Sequence, residues 1–205
     1  MKLYDSRRAP NPRRVRWVMA EKGIEDIEVV EVDLFKGEHR TPEYRAKAGR
    51  PVVPALELDD GSVITESIAI GRYLESLHPE PNLFGLDPKE TAVIEMWTRQ
   101  VEFAAATPLM LAVRYGHPAL AVLEGPDPAA TEKHVAGAER ALKHLDRALA
   151  ERPFIATDRL TIADIILVCS MDFARLLKWR PPADLAHVGR WYEAMRARPA
   201  AQAGM

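Results

Sequence analysis

The residues in this chain that can do chemistry lie mostly in its N-terminal third. Glu66-Ser67 follows a strand-like pattern and opens a helical one. A helix N-terminus presents N–H groups without intrahelical partners and a partial positive charge, which suits a carboxylate. The Ser67 hydroxyl and N–H can grip such a group, and the Glu66 carboxylate can face an ammonium. The same pair also reads as a plain N-cap, since Ser is a common cap and Glu favours a first turn. Val53-Pro54 precedes another strand pattern. An X-Pro bond is the one place where a cis peptide is cheap. A cis bend there would turn the Val53 N–H and C=O outward, free to pair with an extended peptide. The alternative is an ordinary trans proline at a strand start. His39, Arg40 and Arg50 add basic groups to the irregular stretch before Val53, facing either an anion or solvent.

Other reactive types are sparse. The single cysteine, Cys169, excludes an internal disulfide and sits mid-helix between Val168 and Met171, where it fills core. The six histidines show no metal-ligand spacing with it, so no metal is expected. The runs Arg7-Arg8 and Arg13-Arg14-Val15-Arg16 can raise local anion concentration, although a solvated helix face accounts for most of these arginines. A net charge of -2 favours neither nucleic acid nor an anionic membrane. No apolar run is long enough to cross a bilayer. Met1-Lys2-Leu3-Tyr4-Asp5 turns polar at once, which argues against a signal peptide, and a reducing cytoplasm fits the cysteine usage. With 205 residues, 47% of them hydrophobic, the chain can bury a core without covalent staples.

The elements that must position these groups alternate at first. Lys2 to Asp5 and Glu28 to Val32 read as strands around a helix from Asn11 to Lys22, with Val15, Val18 and Met19 at helical spacing and Gly23 as its stop. A β-α-β start implies parallel pairing and a right-handed crossover. A short helix begins near Pro42. Ala55 to Leu58 and Val63 to Thr65 form a hairpin across Asp59-Asp60-Gly61, and Ser67 to Leu77 is amphipathic. The first domain, 1–80, is therefore βαβαββα. A proline-rich linker is placed at 81–88. Domain 89–205 is all helical, with helices over Lys89 to Arg114, Pro128 to Ala150, Ile162 to Trp179 and Leu185 to Arg198.

Four segments together resemble the glutathione transferase superfamily, with a texture similar to its theta-like bacterial and fungal branch. They are Lys2-Leu3-Tyr4 through Asn11-Pro12-Arg13-Arg14-Val15-Arg16, Val53-Pro54-Ala55-Leu56, Glu66-Ser67-Ile68-Ala69-Ile70 and Leu160-Thr161-Ile162-Ala163-Asp164. The last is a folding signal: Thr161 is placed to cap a helix, Asp164 to reach back to it, and Leu160 and Ile165 to form a hydrophobic staple. The resemblance implies an α/β thioredoxin-like domain holding glutathione and an all-α domain completing an electrophile site between them. It assigns the cysteinyl part of glutathione to the Val53 backbone beside Pro54, and the γ-glutamyl group to Ser67 and Glu66. The glycine carboxylate goes to His39, with Arg50 nearby. The usual Asn-Pro-x-Gly before the Val-Pro pair is here Ala48-Gly49-Arg50-Pro51.

In many relatives a Ser, Tyr or Cys near the start of the first helix donates to the glutathione sulfur. Ala9 occupies the position of the theta and zeta serine, and Pro10 and Pro12 lack N–H groups. Asn11, Ser6, Tyr115 and His117 are the possible replacements. A water-assisted arrangement at the helix N-terminus is favoured, with small Ala9 leaving room for the sulfur. Tyr115 also reads as packing and His117 as a turn residue. Phe103, Thr107, Met110, Leu111 and Arg114 are the candidate wall of the electrophile pocket, or helix-bundle core. The implied activity is conjugation of glutathione to small hydrophobic electrophiles by a homodimer. The alternatives are isomerisation, dehalogenation or peroxide reduction, or a non-catalytic binding or regulatory protein.

Overall fold

The computed structural model describes residues 1–122 and 125–203. Two units emerge from the chain contacts: one spans residues 1–81 and takes in the C-terminal residues from Pro199, the other spans Asn82–Arg198.

In the first unit β1 (Lys2–Asp5) pairs in parallel with β2 (Glu28–Glu31) and antiparallel with β3 (Ala55–Glu57), which pairs antiparallel with β4 (Val63–Thr65). The sheet order is β2-β1-β3-β4, a thioredoxin-like arrangement. Between β1 and β2 runs α1 (Pro10–Lys22), closed by Gly23 in the left-handed region at φ 64, where a side chain would be strained. Thr41 caps α2 (Pro42–Ala48) through the Tyr44 N–H, and α3 (Ser67–Leu77) follows β4 directly. Leu3, Val15, Trp17, Val18, Leu56, Ile70 and Leu74 are fully buried. Each such side chain contributes about 1.5–3 kcal/mol.

The basic run on α1 is not a solvated face. Arg13 is 7% exposed and Arg14 only 3%. Arg13 Nη2 donates to the Ala201 carbonyl at 3.0 Å, and Arg16 binds the Asp5 carboxylate and the Arg7 carbonyl. Sequence reading placed these arginines outside because charge usually marks a surface. Here each head group has an oxygen partner and the stems of Arg13 and Arg14 are buried, an amphipathic use of the side chain. Lys22 is buried likewise, donating to the carbonyls of His78 and Pro81 and pairing with Glu75 at 2.6 Å.

In the second unit the proline-rich stretch is tied into the helices rather than left as a free connection. Asn82 and Gly85 exchange hydrogen bonds, Arg159 donates to Asn82 and Glu90, and the Ile162 N–H meets the Leu83 carbonyl. The helix expected over Lys89 to Arg114 is α4 (Pro88–Val101) and α5 (Thr107–Gly116), joined by a π-helical stretch, Glu102–Ala106. The wider turn shifts which residues face inward, a change that periodicity of 3.6 does not reveal. α6 (Pro128–Ala150) begins behind Asp127, whose side chain accepts from the Ala130 N–H. α7 (Ile162–Ala174) is buried almost throughout, Cys169 included. It stops short of Trp179, in a 3-10 turn that ends at Lys178 with φ 60. α8 (Ala186–Arg196) has no capping side chain of its own; Asp146 of α6 accepts from the His187 and Val188 N–H groups, each at 2.9 Å.

Candidate functional site

Two helix starts in the first unit hold the candidate groups. At α1, Ala9 is the N-cap, with an extended backbone and no side-chain hydrogen bond to the helix. Its N–H closes a turn onto the Ser6 carbonyl at 2.9 Å. Prolines at 10 and 12 leave the Asn11 N–H as the sole amide hydrogen of residues 10–12. The Asn11 Oδ1 is buried and has no hydrogen-bond partner among the described residues. Ser6 is buried in the turn. The turn is held from behind: Arg16 binds Asp5 and the Arg7 carbonyl, and the Arg7 N–H donates to Glu31 at 3.1 Å. Burial pushes the Asp5 carboxyl above its ordinary range, while the neighbouring Arg16 draws it back.

At α3, Glu66 is the N-cap residue and Ser67 the first helical one. Glu66 has φ 71 and ψ 119, a conformation that L side chains rarely adopt. Its carboxylate lies 3.4 Å from Arg50 Nη1, and both side chains are open to solvent at 68% and 65% exposure. Ser67 is buried, and Arg14 Nη1 donates to its Oγ at 3.4 Å. Arg50, Glu66, Ser67 and Arg14 are thus drawn together. The Val53–Pro54 bond is cis. Val53 packs on the cluster of Tyr4, Val32, Tyr44, Ala48 and Ala55, and the Tyr44 hydroxyl donates to the Val52 carbonyl at 2.6 Å. Burial pushes that phenol up to about 12, so it remains a donor.

His39 lies in a 3-10 turn, Glu38–Arg40, and is buried with no partner for Nδ1 among the described residues. Burial, then the charges of Arg40 and Arg45, hold its imidazole below the ordinary value.

The remaining candidates belong to the second unit. Thr107, Met110, Leu111 and Arg114 fall at i, i+3, i+4 and i+7 of α5 and share a partly or fully exposed face, while Leu109, Ala112 and Val113 are buried. Arg114 is exposed and the other three are half-buried. Phe103 is 65% exposed, beneath the Arg99 guanidinium at 5.7 Å. Tyr115 stacks on His134 with ring centroids 5.9 Å apart, beside a hollow of about 440 Å³ also lined by Thr131, Val135, Leu177 and Trp179. His117 Nδ1 accepts from the Ala119 N–H, as a turn residue does. Among the described residues no group of three or more His, Cys, Asp or Glu can hold a metal ion, and no helix is long and apolar enough to cross a membrane.

Sequence reading gave Arg14 and Arg16 only a general attraction for anions or a solvated face, and did not single out Tyr44. A signal existed for Arg14: it lies three and four residues from Trp17 and Val18, on the apolar face of α1.

Comparison with known proteins gives the family. The profile of the glutathione S-transferase N-terminal domain matches residues 9–77, and that of the C-terminal domain matches residues 106–199. Glutathione S-transferase 2 of Saccharomyces cerevisiae is 34% identical over 206 residues, covering 97% of this chain and 87% of that protein. The crystal structure of Gtt2 from Saccharomyces cerevisiae aligns with a TM-score of 0.92 and 33% identity over 100% of both chains. Ure2p in complex with glutathione aligns with a TM-score of 0.84 and 25% identity, over 100% of this chain and 97% of that one. The two profiles cover most of the sequence and the yeast relative nearly all of it, so the chain belongs to the glutathione S-transferase family.

Proposed function

We propose that this chain binds glutathione on its first unit and conjugates the thiolate to small hydrophobic electrophiles. The observation that carries this reading is the entry to α3. Glu66 is held in a left-handed conformation that costs about 1–3 kcal/mol, and a plain cap requires no such strain. The result is a carboxylate and a hydroxyl side by side at the amide end of a helix, suited to the ammonium and carboxylate of one amino-acid group. The Val53 backbone takes the cysteinyl part, and His39 or Arg50 the glycine carboxylate. The exposed face of α5 with Thr107, Met110, Leu111 and Arg114, together with Phe103, takes the electrophile. The working form is a homodimer.

The thiol must lose its proton before its sulfur bonds to the electrophilic carbon and displaces a leaving group. A free thiol has a pKa of roughly 8.5, and lowering it by about two units requires about 2.7 kcal/mol of anion stabilisation. The Ala9 side chain has no donor, and its N–H is taken by the Ser6 carbonyl. Asn11 has two sources: its N–H, and its side-chain NH2 if the amide turns over to place nitrogen where Oδ1 lacks a partner. Ser6 contributes through the turn, and Tyr115 or His117 Nε2 through a water.

Calorimetric titration with glutathione, followed by a panel of aryl halides, enones, alkyl halides and hydroperoxides, tests the reading. Asn11→Ala is expected to move the pH–rate profile about one unit alkaline, a loss of about 1.4 kcal/mol of thiolate stabilisation. An unmoved profile removes Asn11 from the mechanism, and a chain that does not bind glutathione removes the function. The lack of a side-chain donor at Ala9 also favours a second reading, a binding protein without turnover. Tight binding with no product across the panel would select it.

A further inference from the structure

Arg14 places a full charge inside the first unit, directly behind Ser67. It stands in the second turn of α1, which packs on α3, and it is almost wholly buried. Its Nη1–H donates to the Ser67 Oγ at 3.4 Å. A serine hydroxyl has one hydrogen and two lone pairs, whereas a guanidinium has five N–H donors and no acceptor. The Ser67 hydrogen therefore cannot be given to Arg14. One lone pair faces the guanidinium, and the hydroxyl hydrogen is left to point away from it.

Resting on the glutathione reading above, we propose that Arg14 is a positioning residue that fixes the polarity of Ser67. By occupying the inward lone pair, it keeps the hydroxyl a donor on the outward side, where the γ-glutamyl α-carboxylate binds. A serine at a helix start can otherwise turn its oxygen onto nearby backbone N–H groups. Arg14 also sets a permanent cation behind the hydroxyl, and an O–H whose oxygen is already hydrogen-bonded to a cation donates more strongly. The rim of the same site holds Arg50 and Glu66, both largely exposed. Selectivity for a ligand bearing the γ-glutamyl group is thus set from below, by a residue that never touches it.

The experiment compares S-hexylglutathione with S-hexylcysteinylglycine, which lacks the γ-glutamyl group. Binding of both is measured by calorimetry for the wild-type chain, Arg14→Lys, Arg14→Gln, Ser67→Ala and the Arg14→Gln/Ser67→Ala double variant. Arg14→Gln is expected to weaken S-hexylglutathione about tenfold, about 1.4 kcal/mol, and to leave the shorter ligand unchanged. Adding Ser67→Ala should then cost little more, because both changes remove one interaction. Arg14→Lys keeps a cation and should lie between Arg14→Gln and wild type.

Equal losses for both ligands, full additivity, or no loss at all in a folded Arg14 variant would overturn the assignment. If the Arg14 variants do not fold, the Arg14 Nε–H signal of the ¹⁵N-labelled wild-type chain decides. It should shift with S-hexylglutathione and not with the shorter ligand; the same response to both, or none, overturns the role. A wild-type chain that binds neither ligand overturns the glutathione reading itself.

Discussion

If His39 holds the glycine carboxylate, as proposed, it gives the binding step a pH dependence whose sign follows from its surroundings. In the free chain its imidazole is held below the ordinary value by burial and by Arg40 and Arg45, so it is neutral near pH 7. A carboxylate arriving beside it favours the cation and raises that value. Between the two values the complex holds more protons than the free chain, so affinity rises as pH falls through that window. Calorimetry at about pH 6 in two buffers of different protonation enthalpy should therefore show proton uptake on glutathione binding. His39→Gln should abolish it. A wild-type chain with no uptake assigns the glycine carboxylate to Arg50 instead. At this scale the sequence was legible where the feature is local backbone, as in the cis bond at Val53–Pro54 and the helix start at Glu66-Ser67. It was less legible for Arg14, whose partner Ser67 comes from another helix. Residue type there suggested solvent, and the helical spacing that contradicted it was the weaker of two signals.

Among elements, the start of α7 shows how a short motif holds a large part of the helical unit. Asp164 is fully buried. Its Oδ2 accepts from the Thr161 N–H and hydroxyl, each at 3.0 Å, and its Oδ1 from the Ile155 N–H and Trp191 Nε1–H, each at 2.9 Å. Burial pushes the carboxyl up and the four donors draw it down. Asp164→Ala strands all four donors and is expected to destabilise the chain by about 3 kcal/mol, read from urea unfolding. Asp164→Asn, which keeps the shape and one acceptor, should lose less. Thr161→Ala should lose about 1 kcal/mol. A loss below that for Asp164→Ala would mean that water replaces the carboxylate. The capping motif was readable because cap and partner are three residues apart. Its links to Ile155 and Trp191 were not, since no local pattern encodes them. Likewise α6 matched its expected span, having Asp127 and Pro128 at its start, whereas Glu102–Ala106 read as ordinary helix because one extra residue in each hydrogen-bonded loop leaves composition unchanged.

For the whole chain, the βαβαββα order and the all-helical remainder were legible from periodicity and turn residues, and the parallel β1–β2 pair followed from chain connection alone. The return of the C-terminal residues to the first unit was not: Arg13 meets the Ala201 carbonyl across 188 positions. Sedimentation equilibrium is expected to give twice the chain mass of 22.9 kDa. A single-chain mass across the micromolar range would exclude the proposed homodimer.

If the chain carries out the proposed conjugation, the burial of Cys169 bears on how it survives its own reagents. A catalyst that handles alkylating molecules risks being alkylated by them. Here the single thiol of the chain is sealed within α7. Under the proposed conjugation, dissolved electrophiles would meet no exposed cysteine of the chain, and the one reactive thiolate of the cycle would arrive with the tripeptide and leave with the product.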